Sequence, residues 1–275
     1  MTKRRHLFTF LSLSVILVSM ADAQAPSSAT ELSLGARAYK QANYEQATWH
    51  FEKAVALDSS NVNAHLYLAT TYAQQYIPGV DLPDNIDMAK RAIAEYKQVI
   101  DLGPSQADFS PSQRINATKG IGYLYLQMKQ FDDATDYYRT ATELEPNDPE
   151  AFYSIGVIDW TQTYVPRQEE RAKLRLKPDA SLAAKNKTVC LQVREKNWTR
   201  IADGIENLNK AVQLRPDYDD AMAYMNLMYR ERADVQCDDP AARDADLRTA
   251  DDWIDKTMGV KKAKAKGSEE PREEK

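Results

Sequence analysis

The chain has 275 residues, 43% hydrophobic and 28% charged, with a formal net charge of −5. That acidic balance favours solubility and argues against nucleic acid as the main partner. Two cysteines in a chain of this length are too few to build a disulfide scaffold.

In residues 1–23, Lys3, Arg4 and Arg5 precede an apolar run from Leu7 to Met20, followed by Ala21-Asp22-Ala23. A charged start, a short apolar stretch and an A-x-A site are the layout of a secretory signal peptide, cleaved here after Ala23. The run falls short of the ~20 residues a spanning helix needs, so stable membrane insertion after cleavage is not expected. The rival reading is an uncleaved anchor through residues 7–20. The residues after Arg4-Arg5 fit a twin-arginine signal poorly, and no cysteine near the cleavage site offers a lipid attachment. Removing this net +2 segment leaves about 252 residues at −7, destined for the periplasm or for secretion.

After a short polar leader, in which Ser28 or Thr30 would cap the first helix, residues 28–61 read as a helical hairpin. Leu34, Gly35, Ala47, Phe51 and Ala54 carry the periodicity, and Lys40-Gln41-Ala42-Asn43 form the turn. A second hairpin spans 62–104, with Leu68, Ala69 and Tyr72 on one helix and Ala92, Tyr96 and Val99 on the other. Its turn is lengthened by 77–85, IPGVDLPDN, an ordered loop by its prolines and capping residues. Residues 105–110 are a linker, and Ser110-Pro111 places an N-cap before an N1 proline.

Residues 115–148 are the clearest hairpin. Ile121, Leu124, Tyr125 and Met128, then Phe131, Ala134, Tyr138, Ala141 and Leu144, recur at helical spacing around a tight Lys129-Gln130 turn. Pro146 stops the second helix and Asp148 caps the next. A fourth hairpin covers 149–216, with Ile155 and Gly156 before an insertion at 161–200 and Gly204, Leu208, Ala211 and Pro216 after it. The insertion carries ten basic residues against four acidic ones, net +6. Pro166 would begin a short helix there and Pro178 separate it from the next. Val189, Val193, Ile201, Ile205, Leu208 and Val212 then suit one long helix. The basic charge fits either a lobe contacting an acidic partner or a solvated elaboration offsetting the acidic body. A degenerate fifth hairpin spans 219–258, its second helix started by Asp239-Pro240. Residues 259–275, almost without apolar side chains, are expected to be a disordered charged tail.

This recurrence resembles the tetratricopeptide repeat (TPR), with its W-x2-L-G-x2-Y, A-x3-F, P pattern over about 34 residues. In 115–148 the matching residues are Thr118, Ile121, Gly122, Tyr125, Ala134, Tyr138 and Pro146; the first aromatic is missing. The resemblance implies an all-α solenoid over 28–258, about five helix-turn-helix repeats with a long helical insertion in the fourth. It also implies a concave groove lined by the first helices. The family's contact positions fall on Tyr39, Lys40, Asn63, Leu66, Thr70, Asn116, Lys119, Tyr123, Leu126, Tyr153, Val157, Trp160 and Arg230. Such a lining suits an extended peptide or a partner's helix, although Tyr153, Val157 and Trp160 would equally pack against the insertion. Leu32 and Ala36 stand at two positions where chaperone-tail binders of the family clamp a terminal carboxylate, which speaks against that mode.

Nothing points to catalysis, a metal or a cofactor. His50 and His65 lie on ordinary repeat helices without a ligand partner at metal spacing. No G-x-S-x-G, phosphate-binding glycine loop or GxGxxG is present. Asp132-Asp133 and Asp219-Asp220 sit at helix starts, where the helix dipole accounts for them. Asn116, Asn186 and Asn197 head glycosylation sequons. Cys190 and Cys237 invite a disulfide in an exported protein, yet each would serve as well as a small buried hydrophobe. The expectation is a non-enzymatic protein-interaction or scaffold module in the envelope of a bacterium. The alternative is an enzyme or small-ligand carrier with a site between the insertion and the groove.

Overall fold

A computed structural model describes residues 27–107, 109–177 and 180–269. Residues 1–23, for which a signal peptide is expected, lie outside them, as do residues 270–275. The described residues form helices and no strand. Hairpins pair α1 (Ser28–Lys40) with α2 (Tyr44–Leu57), α3 (Val62–Gln75) with α4 (Pro83–Leu102), and α5 (Pro111–Gln127) with α6 (Phe131–Leu144). The fourth joins α7 (Pro149–Lys173) to α9 (Lys187–Leu214), with the single turn α8 (Leu182–Lys185) between them. The fifth joins α10 (Asp219–Asp234) to α11 (Pro240–Glu269). Each second helix also packs on the first helix of the next hairpin, so the five stack in a row as a TPR-type solenoid.

The small residues of the repeat pattern hold the hairpins closed. A methyl group on Gly35 would sit 2.5 Å from the Phe51 ring, and one on Gly156 would sit 2.4 Å from Leu208. These are the places where a large side chain of the second helix lies directly on the backbone of the first. Ala69, fully buried, does the same duty in the second hairpin. Phe51, Ile121, Leu124, Ile155 and Leu208 fill the interior with almost no exposure. The short turns close alike: Ala42 and Lys129 take positive φ, 56° and 59°. The following N–H reaches back into the helix, Asn43 to Ala38 O at 3.0 Å and Gln130 to Tyr125 O at 2.9 Å. This is the bond that ends a helix in a left-handed cap.

His50 and His65 have matched roles. Glu31, four residues before Gly35, meets His50, three after Ala47, at 2.6 Å. His65, four before Ala69, meets Glu95, three after Ala92, also at 2.6 Å. One buried acid–imidazole pair thus recurs in two repeats with its partners exchanged. Burial works to lower the His65 pKa, but Glu95, the Ser59 carbonyl and the charge on Asp58 together raise it.

Several expectations need correction. The first N-cap is Ser27, whose hydroxyl takes the Thr30 N–H, and the helix begins at Ser28. The 77–85 loop is ordered by the Asn85 side chain, which bonds Ile77 N, Ile77 O and Val80 O, but its last three residues already belong to α4. Pro166 does not start a helix; it lies inside α7, which continues to Lys173. The turn that loses the Pro166 donor is partly exposed, and buried arginines one and five residues later hold the helix on course. The 259–269 stretch is helical rather than disordered. Its alanines and lysines favour helix, and Lys264 returns to Asp219 at 2.7 Å. The long helix from Val189 to Val212 is present as α9, and the Ser110 capping box and Asp148 cap are both formed. Asn197 is buried and donates to Thr163 O at 3.0 Å, which removes it as an acceptor of sugar.

Asp159 on α7 is 4% exposed, and one of its carboxyl oxygens has no partner. Burial and the neighbouring Asp203 push its pKa from 3.8 up to about 8, against the weaker pull of Arg139 and Arg200. Its contact with Asp203 becomes a hydrogen bond only when Asp159 is protonated. Between those two pKa values the folded chain holds a proton the unfolded chain has released, so stability falls as pH rises through that window. Asp159→Asn is therefore expected to raise stability at pH 9 by on the order of 1–3 kcal/mol and leave it nearly unchanged at pH 4. Urea unfolding at the two pH values checks this; equal effects at both would contradict it.

Candidate partner-binding groove

The first helices α1, α3, α5, α7 and α10 stand next to one another, and the residues the repeat pattern assigned to the groove lie along them. Lys40, Asn116 and Tyr123 are exposed, Tyr123 at 44%. The others are half-buried, several of them fixed by neighbours. Tyr39 packs edge-on to Tyr44 at 5.3 Å. Asn63 accepts a hydrogen bond from Gln113 at 2.8 Å, tying α3 to α5. The Thr70 hydroxyl donates to Leu66 O at 2.8 Å. Lys119 reaches Asp148, the N-cap of α7, at 2.6 Å. Leu126 packs with the third hairpin's core.

At the far end the lining becomes aromatic. Tyr153 leans on Tyr218 and Tyr224 of the fifth hairpin, with ring centroids 5.0 and 5.7 Å apart, rather than on the insertion. Val157 is half-buried beside it. Trp160 packs on Tyr164 at 4.8 Å and Tyr224 at 5.4 Å, and so touches both the extension of α7 and the next repeat. Arg230 pairs with Asp251 at 2.7 Å. Burial raises the Tyr153 pKa to about 12, so its hydroxyl stays protonated.

The extension of α7 is anchored by a charge cluster that sequence reasoning missed. Arg167 forks onto Glu231, with Nε and Nη2 each donating at 2.6 Å, and reaches Asp234 through Nη1. Arg171 donates to Asp234 at 2.8 Å and to Lys177 O at 2.6 Å. Glu231 is 1% exposed. Burial pushes its carboxyl up to about 7, whereas Glu231 and Asp234 outweigh burial at Arg167 and hold its proton more tightly than usual. The two-pronged geometry is that of an ionised pair. Beside the cluster, Cys190 and Cys237 form a disulfide with Cα atoms 5.8 Å apart, stitching the insertion to the end of the fifth repeat's first helix. Other basic residues of the insertion meet acids of the repeats: Lys187 and Arg194 at Asp238, Arg200 at Asp132. Much of its positive charge is thus spent inside the molecule.

Between this extension and the fifth hairpin lies a cavity of about 640 Å³, lined by Trp160, Tyr164, Leu176, Leu227, Arg243 and Leu247 among others. Leu227 could have been found from the sequence, because it precedes Arg230 as Val157 precedes Trp160. The α11 residues gave no such signal. Among the described residues no cluster of three or more His, Cys, Asp or Glu could hold a metal ion. No helix there is long and apolar enough to cross a membrane.

The family model for the tetratricopeptide repeat matches residues 115–148. Two curated relatives share part of the chain. The Dictyostelium discoideum "Protein STIP1 homolog" is 28% identical over 159 residues, 58% of this chain and 25% of its own length. The Arabidopsis thaliana "Protein CTR9 homolog" is 26% identical over 125 residues, 44% of this chain and 10% of its own. The chain therefore spans a quarter or less of these relatives. Among solved structures, MamA (41-end) from Desulfovibrio magneticus RS-1 superposes with a TM-score of 0.55 at 15% identity, covering 86% of this chain and 96% of that one. YrrB, described as a TPR protein with an unusual peptide-binding site, gives 0.51 at 16% identity over 86% and 92%. At such identities these likenesses show the fold alone.

Proposed function

This chain is a tetratricopeptide-repeat protein, and from that premise we propose that it is a non-enzymatic module binding a peptide or a partner's helix in its concave groove. The observation that carries the reading is the row of stacked first helices offering exposed Tyr123, Asn116 and Lys40 and ending in an aromatic-walled cavity. Aromatic and amide side chains on a preformed surface suit main-chain and side-chain contacts to an extended segment. YrrB, of the same fold, is described as having a peptide-binding site. Affinity capture from an envelope extract tests this. A band retained by the protein and by Lys210→Glu, on the exposed side of α9, should be lost with Tyr123→Glu. Retention of every band by Tyr123→Glu would count against the groove.

The protein acts outside the cytoplasm in this reading. Support comes from the layout of residues 1–23 and from the Cys190–Cys237 disulfide, since such bonds persist in oxidising compartments. N-terminal sequencing of the protein from its host should begin at Gln24; a terminus at Met1 would overturn export by cleavage.

A further inference from the structure

Asp159 of α7 and Asp203 of α9 meet where their helices touch, and the packing leaves Asp159 no room to turn away. A methyl group on Gly204, the neighbour of Asp203, would sit 3.0 Å from the Asp159 β-carbon. On its other side it would meet the Met228 methyl of α10 at 2.4 Å. Asp159 is buried and one of its oxygens has no partner, the state of two acceptors side by side until one carries a proton. The surrounding charges do not remove this conflict. Arg139 of α6 donates to Asp203 at 2.6 Å, and Arg200 of α9 donates to Gln162 at 3.1 Å and lies 3.7 Å from Asp132 of α6. These arginine side chains are 52% and 44% exposed, so water screens them from Asp159. Asp136 of α6 and Lys196 of α9 line the same cavity of about 480 Å³ beside the pair. Burial and Asp203 prevail, and Asp159 keeps its proton up to a pH of about 8.

We propose that the proton shared by Asp159 and Asp203 is a latch between α7 and α9, and that the two helices part locally when alkaline solvent removes it. Two ionised carboxylates in contact at a buried site repel strongly. Arg139 and Arg200 are already engaged from outside, so the relief is separation. The adjoining cavity admits the water that then hydrates both groups. The proton passes to bulk water, and no other group has to change its charge. Val157 and Trp160 lie two residues before and one after Asp159, so the latch also fixes that part of the groove lining. It stands independently of what the groove binds.

Hydrogen–deuterium exchange of the purified, disulfide-bonded protein at pH 6.5 and 9.0 tests the latch, with labelling times scaled to cancel the base catalysis of amide exchange. Residues 155–163 of α7 and 199–207 of α9 should lose about tenfold in protection at pH 9.0, one unit above the point where the proton leaves. Helices α1 to α4 should keep theirs. Asp159→Asn, whose amide can donate to Asp203 at either pH, should be equally protected at both. Asp203→Asn, which removes the second charge, should cut the loss to less than about threefold. Circular dichroism at pH 6.5 establishes that both variants are folded. Unchanged protection in the parent would mean that Arg139 swings in to neutralise the pair, and would overturn the latch. An equal loss in Asp159→Asn would assign the change to another group, and a loss spread over α1 to α4 would assign it to global unfolding; either result overturns the proposal.

Discussion

Arg167→Ala is expected to destabilise the protein by about 3–5 kcal/mol, seen as a lower urea midpoint. The reason is not the loss of an attraction but what the truncation leaves behind. Glu231, 1% exposed, would lose both guanidinium donors, and Asp234, whose side chain is 10% exposed, one of its two arginines. The same argument makes a second outcome specific. Replacing both partners, as Arg167→Leu with Glu231→Met, removes the buried charges together and should cost far less than the single substitution. If the single substitution costs under about 1 kcal/mol, the cluster is not what holds the α7 extension. Hydrogen exchange would locate the damage: α10 and the end of α7 should lose protection, while α1 to α4 keep theirs.

Removing the disulfide through Cys190→Ala with Cys237→Ala should lower stability by about 4 kcal/mol in the chain-entropy model, given its separation of 47 residues. That loop holds the last quarter of the insertion, nearly all of α9 and the whole of α10, so the cross-link restricts a large share of the unfolded ensemble. Alanine is the appropriate replacement, because Cys190 is fully buried and Cys237 nearly so. A loss below 1 kcal/mol would mean that the arginine cluster alone seats the insertion.

Residue by residue, the hairpins were legible because their information is local. Gly35 with Phe51, or Gly156 with Leu208, sit at the repeat's own spacings, and Ser110-Pro111 and Asp148-Pro149 announce helix starts whatever the rest of the chain does. Pro166 misled for the opposite reason. Its local meaning is a break, and only contacts from Arg167 to residues 64 and 67 positions away keep the helix running through it. The 259–269 stretch misled likewise: low apolar content suggested disorder, while Lys264 finds Asp219 on α10. The groove positions came from the repeat register, but their state did not. Nothing local says that Lys119 is engaged by Asp148 whereas Tyr123 is open.

By itself, then, the amino-acid order determined the helices, their pairing into hairpins and the side of each that turns inward. All of these follow from a 3.6-residue period and small-residue positions within some 34 residues. Tertiary structure alone decided that Cys190 meets Cys237, that two arginines of the insertion neutralise Glu231 and Asp234, and that a cavity opens beside Trp160. Those features join segments separated by dozens of residues, and their energies depend on burial, which no stretch of chain possesses until its neighbours arrive.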